Sequence, residues 1–123
     1  MYTLDTNVII YYLDGNDSAA ETLRPIFSSN APVYLSAMSE LELLSLPSLQ
    51  HDEFVKIGQF IRRLVTVPVD SRIARIASTL RRRYHIKSPD AAIAATAMLT
   101  GSTLVTRNVK DFSQLSAVQV QAI

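Results

Sequence analysis

Residues 3–8 read TLDTNV: an apolar start gives way to an acid and two more polar side chains, and apolar character then returns. The run at 1–4 is short, apolar and closed by polar residues, which predicts a strand, and the segment after Asn7 continues as a helix. Asp5 therefore stands where a strand hands over to a helix. In open parallel sheets this is where ligands bind, beyond the carboxyl ends of the strands. An acid there can also simply cap the helix, and the rest of the chain must separate the two roles.

Outward from this point, four more short apolar runs bounded by turn residues predict strands at 33–35, 65–69, 103–106 and 118–121. Between them lie segments of helical spacing. Ile73, Ile76, Ala77, Leu80 and Tyr84 share one helix face, and the arginines at 72, 75, 82 and 83 lie largely off it. AAIAATAML at 91–99 predicts a helix of mostly small residues, suited to close approach to the sheet or to a second subunit. Pro47 and the polar stretch to Asp52 separate two further helical segments. Parallel neighbours need crossover connections, so the alternation predicts a three-layer α/β/α sandwich around a mainly parallel five-stranded sheet. With no internal repeat, low-complexity segment or linker, a single domain over 1–123 is expected.

A chain of 123 residues buries roughly two thirds of its unfolded surface, enough for a core without staples. It has no cysteine, which excludes disulfides and thiolate zinc sites. His51 and His85 have no partner at metal-ligand spacing and are read as surface residues. The start lacks a basic leader, and its apolar stretch, broken by Asp5 and Asn7, is shorter than the ~20 residues of a membrane span, so a soluble, unprocessed, cytoplasmic protein is expected. Net charge is +1 but lopsided. Residues 1–53 hold eight acids against Arg24, whereas 54–123 hold eleven bases against Asp70, Asp90 and Asp111. Eight of those bases fall between Arg62 and Lys87. Such asymmetry suits a polyanion-binding surface, and equally the solvated faces of amphipathic helices.

The acids that follow strands, directly or on the next helix, are Asp5, Glu40 and Glu42, Asp90 and Asp111. Each has an ordinary explanation. Asp5 or Thr6 can cap a helix, and Ser88-Pro89-Asp90 has the form of a helix start with a capping serine. Glu42 is harder to dismiss, because Leu41, Leu43, Leu44 and Leu46 predict a largely buried helix, where an unpaired carboxylate is costly. Glu40 projects to nearly the opposite side, and periodicity does not choose between them. Taken together the acids imply more. Carboxylates sharing a cleft take up protons unless a cation neutralises them. Oxygen ligands without cysteine or paired histidine favour magnesium or manganese over zinc. A pair of such ions roughly 3.5–4 Å apart can activate water and stabilise the leaving oxygen of a phosphodiester. The basic second half would then follow the phosphates.

LDTNV at 4–8, Ser39-x-x-Glu42-Leu43, PDAAIAATA at 89–97 and LVTRNVKDF at 104–112 together closely resemble the PIN-domain family, in particular the VapC-type toxins of bacterial and archaeal toxin-antitoxin systems. The resemblance covers essentially the whole chain and rests on four short motifs in order. It implies an endoribonuclease dependent on Mg2+ or Mn2+, acting on RNA to leave a 5′-phosphate and a 3′-hydroxyl, and neutralised by a small cognate antitoxin. By motif position it makes Asp5, Glu42 and Asp90 the metal-holding carboxylates. Glu42 is preferred to Glu40 because it follows Ser39 by three residues and directly precedes a leucine. The family's fourth acid falls in some members where this chain has Asn108 and in others at Asp111; Asp111 is preferred, with Asn108 as a neutral neighbour that orients water or phosphate. Thr6, Asn7 and Thr106 would hydrogen-bond the carboxylates, with Ser39 in the same supporting group. Arg107 either binds a phosphate or pairs with Asp111. The family is commonly homodimeric.

Two other classes fit less well. A phosphoacceptor receiver domain needs an acidic pair after its first strand and an acceptor aspartate ending the third, where Asp70 stands alone. A phosphatase of the haloacid-dehalogenase type needs a second aspartate two residues after the first, where this chain has Asn7. A PIN module that only binds is opposed by the intact carboxylates.

Overall fold

The computed structural model describes all residues 1–123. In chain order the elements are β1 (Tyr2–Leu4), α1 (Thr6–Leu13), α2 (Asp17–Ser28), β2 (Val33–Ser36), α3 (Ala37–Leu44), α4 (His51–Ile61), β3 (Val65–Val67), α5 (Ser71–Tyr84), α6 (Ser88–Thr100), β4 (Thr103–Thr106), α7 (Val109–Phe112) and β5 (Val120–Ala122). The five strands form one sheet in the order β3-β2-β1-β4-β5, with every neighbouring pair parallel. This is the expected α/β/α architecture. It differs from the 2-1-3-4-5 order of the receiver-like doubly wound sheets, which removes that alternative.

Side-chain alternation along the central strands builds two cores. Leu4, Leu35 and Val105 pack with Val8, Leu23, Leu43 and Phe60 from α1, α2, α3 and α4. Leu104 points the other way and packs with Leu80, Ile93, Ala97 and Phe112 from α5, α6 and α7. Residues 91–97 of α6 are all buried, and three of its alanines have no exposed surface. Its small side chains therefore serve close packing inside this chain, not contact with a second subunit.

Two strand boundaries depart from the sequence reading by two residues, the others by one at most. The strand expected at 65–69 ends at Val67, because Pro68 has no N–H to continue a ladder and Asp70 already caps α5. The last strand starts at Val120, not 118. Val118 N–H is bonded to Leu115 O in a turn, its side chain is buried in the second core, and pairing begins only with Val120 opposite Leu104. Helix α6 begins at Ser88 with Lys87 at the cap position and no side-chain cap, so Ser88 is the first helical residue and not the expected capping serine.

Helix α3 is less buried than its leucines suggest, since Leu43 is fully buried while Leu41 is 59% exposed. Leu43→Ala should cost about 2–5 kcal/mol in urea unfolding, whereas Leu41→Ala should stay within about 0.5 kcal/mol of the parent.

Candidate active site

Beyond β1 the chain runs on to β2 and β3 on one side, then returns to β4 on the other. The crevice at the carboxyl ends of β1 and β4 is thus the topological switch point of the sheet. Asp5 sits on this boundary. Its N–H bonds Val105 O of the neighbouring strand at 3.0 Å, continuing the register that pairs Leu4 with Val105. Its side chain is nearly fully buried, with Oδ1 accepting from Thr6 N–H at 2.8 Å and Oδ2 from the Thr106 hydroxyl at 2.7 Å. Asp5 is also the N-cap of α1, so the capping role and a place in a site coincide in one residue.

Glu42 arrives from α3. The Thr6 hydroxyl donates to Glu42 Oε1 at 2.7 Å and lies 2.9 Å from the buried Ser39 hydroxyl, three residues before Glu42. Asp90 comes from the first turn of α6. Asp5, Glu42 and Asp90 line one cleft of about 310 Å³, together with Thr6, Asn7, Ile10 and Leu46. Glu40 does not line this cleft, so of the two glutamates the geometry selects Glu42. An apolar groove lined by Leu13, Leu43, Leu49 and Ile57 adjoins it through the shared Ile10 and Leu46.

Asp111 is exposed and stands in an adjoining cavity of about 300 Å³ that shares Asp90 with the first. Asn108 Nδ2 donates to Asp111 Oδ2 at 2.9 Å, and Asn108 N–H bonds the Thr106 hydroxyl at 2.9 Å. A hydrogen-bonded chain thus connects Asp111 to Asp5 through Asn108 and Thr106. Two expected contacts are not made. Asn7 is exposed on the cleft rim and hydrogen-bonds no carboxylate, because its side chain leaves α1 on the solvent side. Arg107 does not pair with Asp111, since the chain's one ion pair within 4.0 Å is Arg72–Asp70. Its guanidinium instead lies 4.1 Å from the centre of the Tyr11 ring, a cation–π contact that its sequence neighbours do not signal.

The electrostatics follow from the crowding. Burial is the main cause raising the Asp5 carboxyl above its ordinary range, with Glu42 adding to it, while the hydrogen bonds from Thr106 and Thr6 oppose the rise. Asp90 is pushed up to about 6, first by burial and then by the charges of Asp5, Glu42 and Asp111, with Lys87 partly offsetting them. Asp90 is thus the acid that feels all of the others. Charge crowded this way is relieved by protons or by a cation. The donors are oxygen throughout, which suits a hard dication. As they stand, no three of these acids are placed to grip one ion.

Sequence reasoning missed the wall beyond Asp90. His85, Lys87 and Gln114 line the second cavity with Asn108 and Asp111. Lys87 directly precedes the SPD start of α6, and that adjacency was the available signal.

Ribonuclease VapC19 of Mycobacterium tuberculosis (strain CDC 1551 / Oshkosh) is 30% identical over 124 aligned positions, spanning 97% of this chain and 98% of the relative. Among solved structures, a toxin-antitoxin complex from Klebsiella pneumoniae superposes with a TM-score of 0.83 at 26% identity, over 96% of this chain and 95% of that one. VapBC2 from Rickettsia felis, bound to a DNA fragment from its promoter, shares the fold with a TM-score of 0.85 at 24% identity, over 99% and 98%. The PIN domain model matches residues 2–118, and the chain belongs to the PIN-domain family.

Proposed function

We propose that this chain is a metal-dependent endoribonuclease, the toxin of a toxin-antitoxin pair, held inactive by a small VapB-like antitoxin and working in the cytoplasm. The observation that carries the reading is the meeting of Asp5, Glu42 and Asp90, from three separate elements, in one cleft at the switch point of the sheet. The likeness to a ribonuclease over nearly the full chain supports the substrate class. The toxin-antitoxin complex from Klebsiella pneumoniae supports the partner, and the apolar groove beside the cleft offers an antitoxin segment a place to lie. No helix is long and apolar enough to cross a membrane.

In this reading Asp5, Glu42 and Asp90 hold Mg2+ or Mn2+, and Asp111 assists with a second ion or its waters. When bound, the ion would neutralise the acids, activate water for in-line attack on phosphorus and stabilise the departing oxygen. The remaining work belongs to the chain. Thr106 and Thr6 hold the oxygens of Asp5 and Glu42 in fixed directions. Asn108 restrains Asp111 from the side. The exposed arginines of α5 would follow the RNA backbone, leaving a 5′-phosphate and a 3′-hydroxyl at the cut.

Asp5→Asn and Asp90→Asn should each lower RNA cleavage in manganese by on the order of a hundredfold. Purified side by side and assayed with and without chelator, equal activity in all samples would assign the cleavage to a contaminant or another site. Cleavage and manganese affinity should climb as pH rises through about 6, where Asp90 loses its proton. The sign for stability is opposite. Because the Asp90 carboxyl is raised from 3.8 to about 6, the native state binds more protons than the unfolded chain between those values, and metal-free stability falls as pH rises through that window. Asp90→Asn should therefore raise Tm at pH 7.5 in chelator by about a few degrees and abolish the gain that manganese gives the parent. A lower Tm in chelator would contradict the crowding of Asp90.

A further inference from the structure

The second cavity is unlike the acidic cleft it adjoins. Its lining sets Asp111 and Asn108 together with His85 and Lys87, with Asp90 common to both spaces. Lys87 lies close enough to Asp90 to lower its pKa, yet it forms no ion pair within 4.0 Å, so its ammonium is free to take another anion.

His85 is the second observation. It follows α5 with φ 57° and ψ 32°, in the left-handed region where glycine is the usual residue and a Cβ is crowded. This corner is held from both sides. His85 N–H bonds Arg81 O at 3.0 Å, the Arg81 Nε–H donates to Ile86 O at 3.1 Å, and Ile86 is buried. The fold thus keeps a histidine in a strained position that glycine would fill at lower energy, and that exposed histidine is among the residues lining the cavity beside the carboxylates.

Resting on the nuclease reading for the identity of the strand, we infer that this cavity holds the RNA backbone next to the bond to be cut, with Lys87 and His85 donating to one phosphate. The mixed lining matches what a ribonucleotide offers. Its phosphate oxygens accept from the lysine and the imidazole, and its 2′-hydroxyl donates to a carboxylate or amide oxygen of the same lining. Because Asp90 belongs to both spaces, a strand seated over the carboxylates runs into this cavity without a break.

Strain and binding make opposite demands on His85, and the test uses this. Anisotropy of a labelled single-stranded RNA oligonucleotide should be measured with the intact chain in calcium, while cleavage is followed separately in manganese. His85→Gly should hold or raise Tm and yet weaken RNA binding by about tenfold. Lys87→Gln should weaken binding similarly and flatten its dependence on log salt by about one phosphate contact. A parent that fails to bind RNA, or binding and salt slope unchanged in both variants, would overturn the inference. RNA binding that depends on both residues, without cleavage by the parent, would keep the cavity and overturn the nuclease reading instead.

Discussion

The drawing of acids out of water and close to one another is the constraint around which this molecule is arranged. Asp5 is nearly fully buried, and Asp90 is pushed up to about 6 by burial and by three neighbouring carboxylates. Left to stability alone, such a cluster would be replaced, since an unpaired buried charge is costly and burial already disfavours ionisation. It is tolerated because rigid surroundings fix it. The Asp5 backbone is locked to β4, its oxygens are held by Thr6 and Thr106, and Glu42 is held by the same Thr6. No buried side-chain polar atom lacks a hydrogen-bond partner, so the cost at the carboxylates is electrostatic and not one of unmade hydrogen bonds.

The sheet order makes this arrangement available. A parallel sheet that reverses direction at β1 opens a crevice between β1 and β4, and residues just past those strands fall into it without special loops. Helix α6 completes the site from the opposite layer. Its alanines allow it to lie close against the sheet and α5, which brings Asp90, in its first turn, within electrostatic reach of Asp5, Glu42 and Asp111.

Much of this was legible in the sequence, because the signals were local. Short apolar runs between turn residues located all five strands, and polar residues after them located the acids. What was not legible depended on partners or on backbone detail. Pro68 ends β3 early by removing a donor, and a turn at Leu115 delays β5, neither of which apolar content reveals. Leucine content alone overstated the burial of α3, where Leu41 faces solvent. Asn7 sits in the right motif but on the outer side of its helix, and Arg107 found an aromatic face rather than an acid. His85 is exposed, as read from the sequence, but its left-handed backbone was not legible, because φ and ψ leave no mark on composition.

The central claim is that one hard dication binds where Asp5, Glu42 and Asp90 converge. Paramagnetic broadening by manganese of the backbone amide signals of the 15N-labelled protein tests it most directly, since the effect falls off steeply with distance from the ion. Signals from residues 4–7, 42–43 and 90–91 should vanish first and return with chelator. Broadening centred instead on exposed acids remote from the cleft, such as Asp17 or Asp52, would contradict the account.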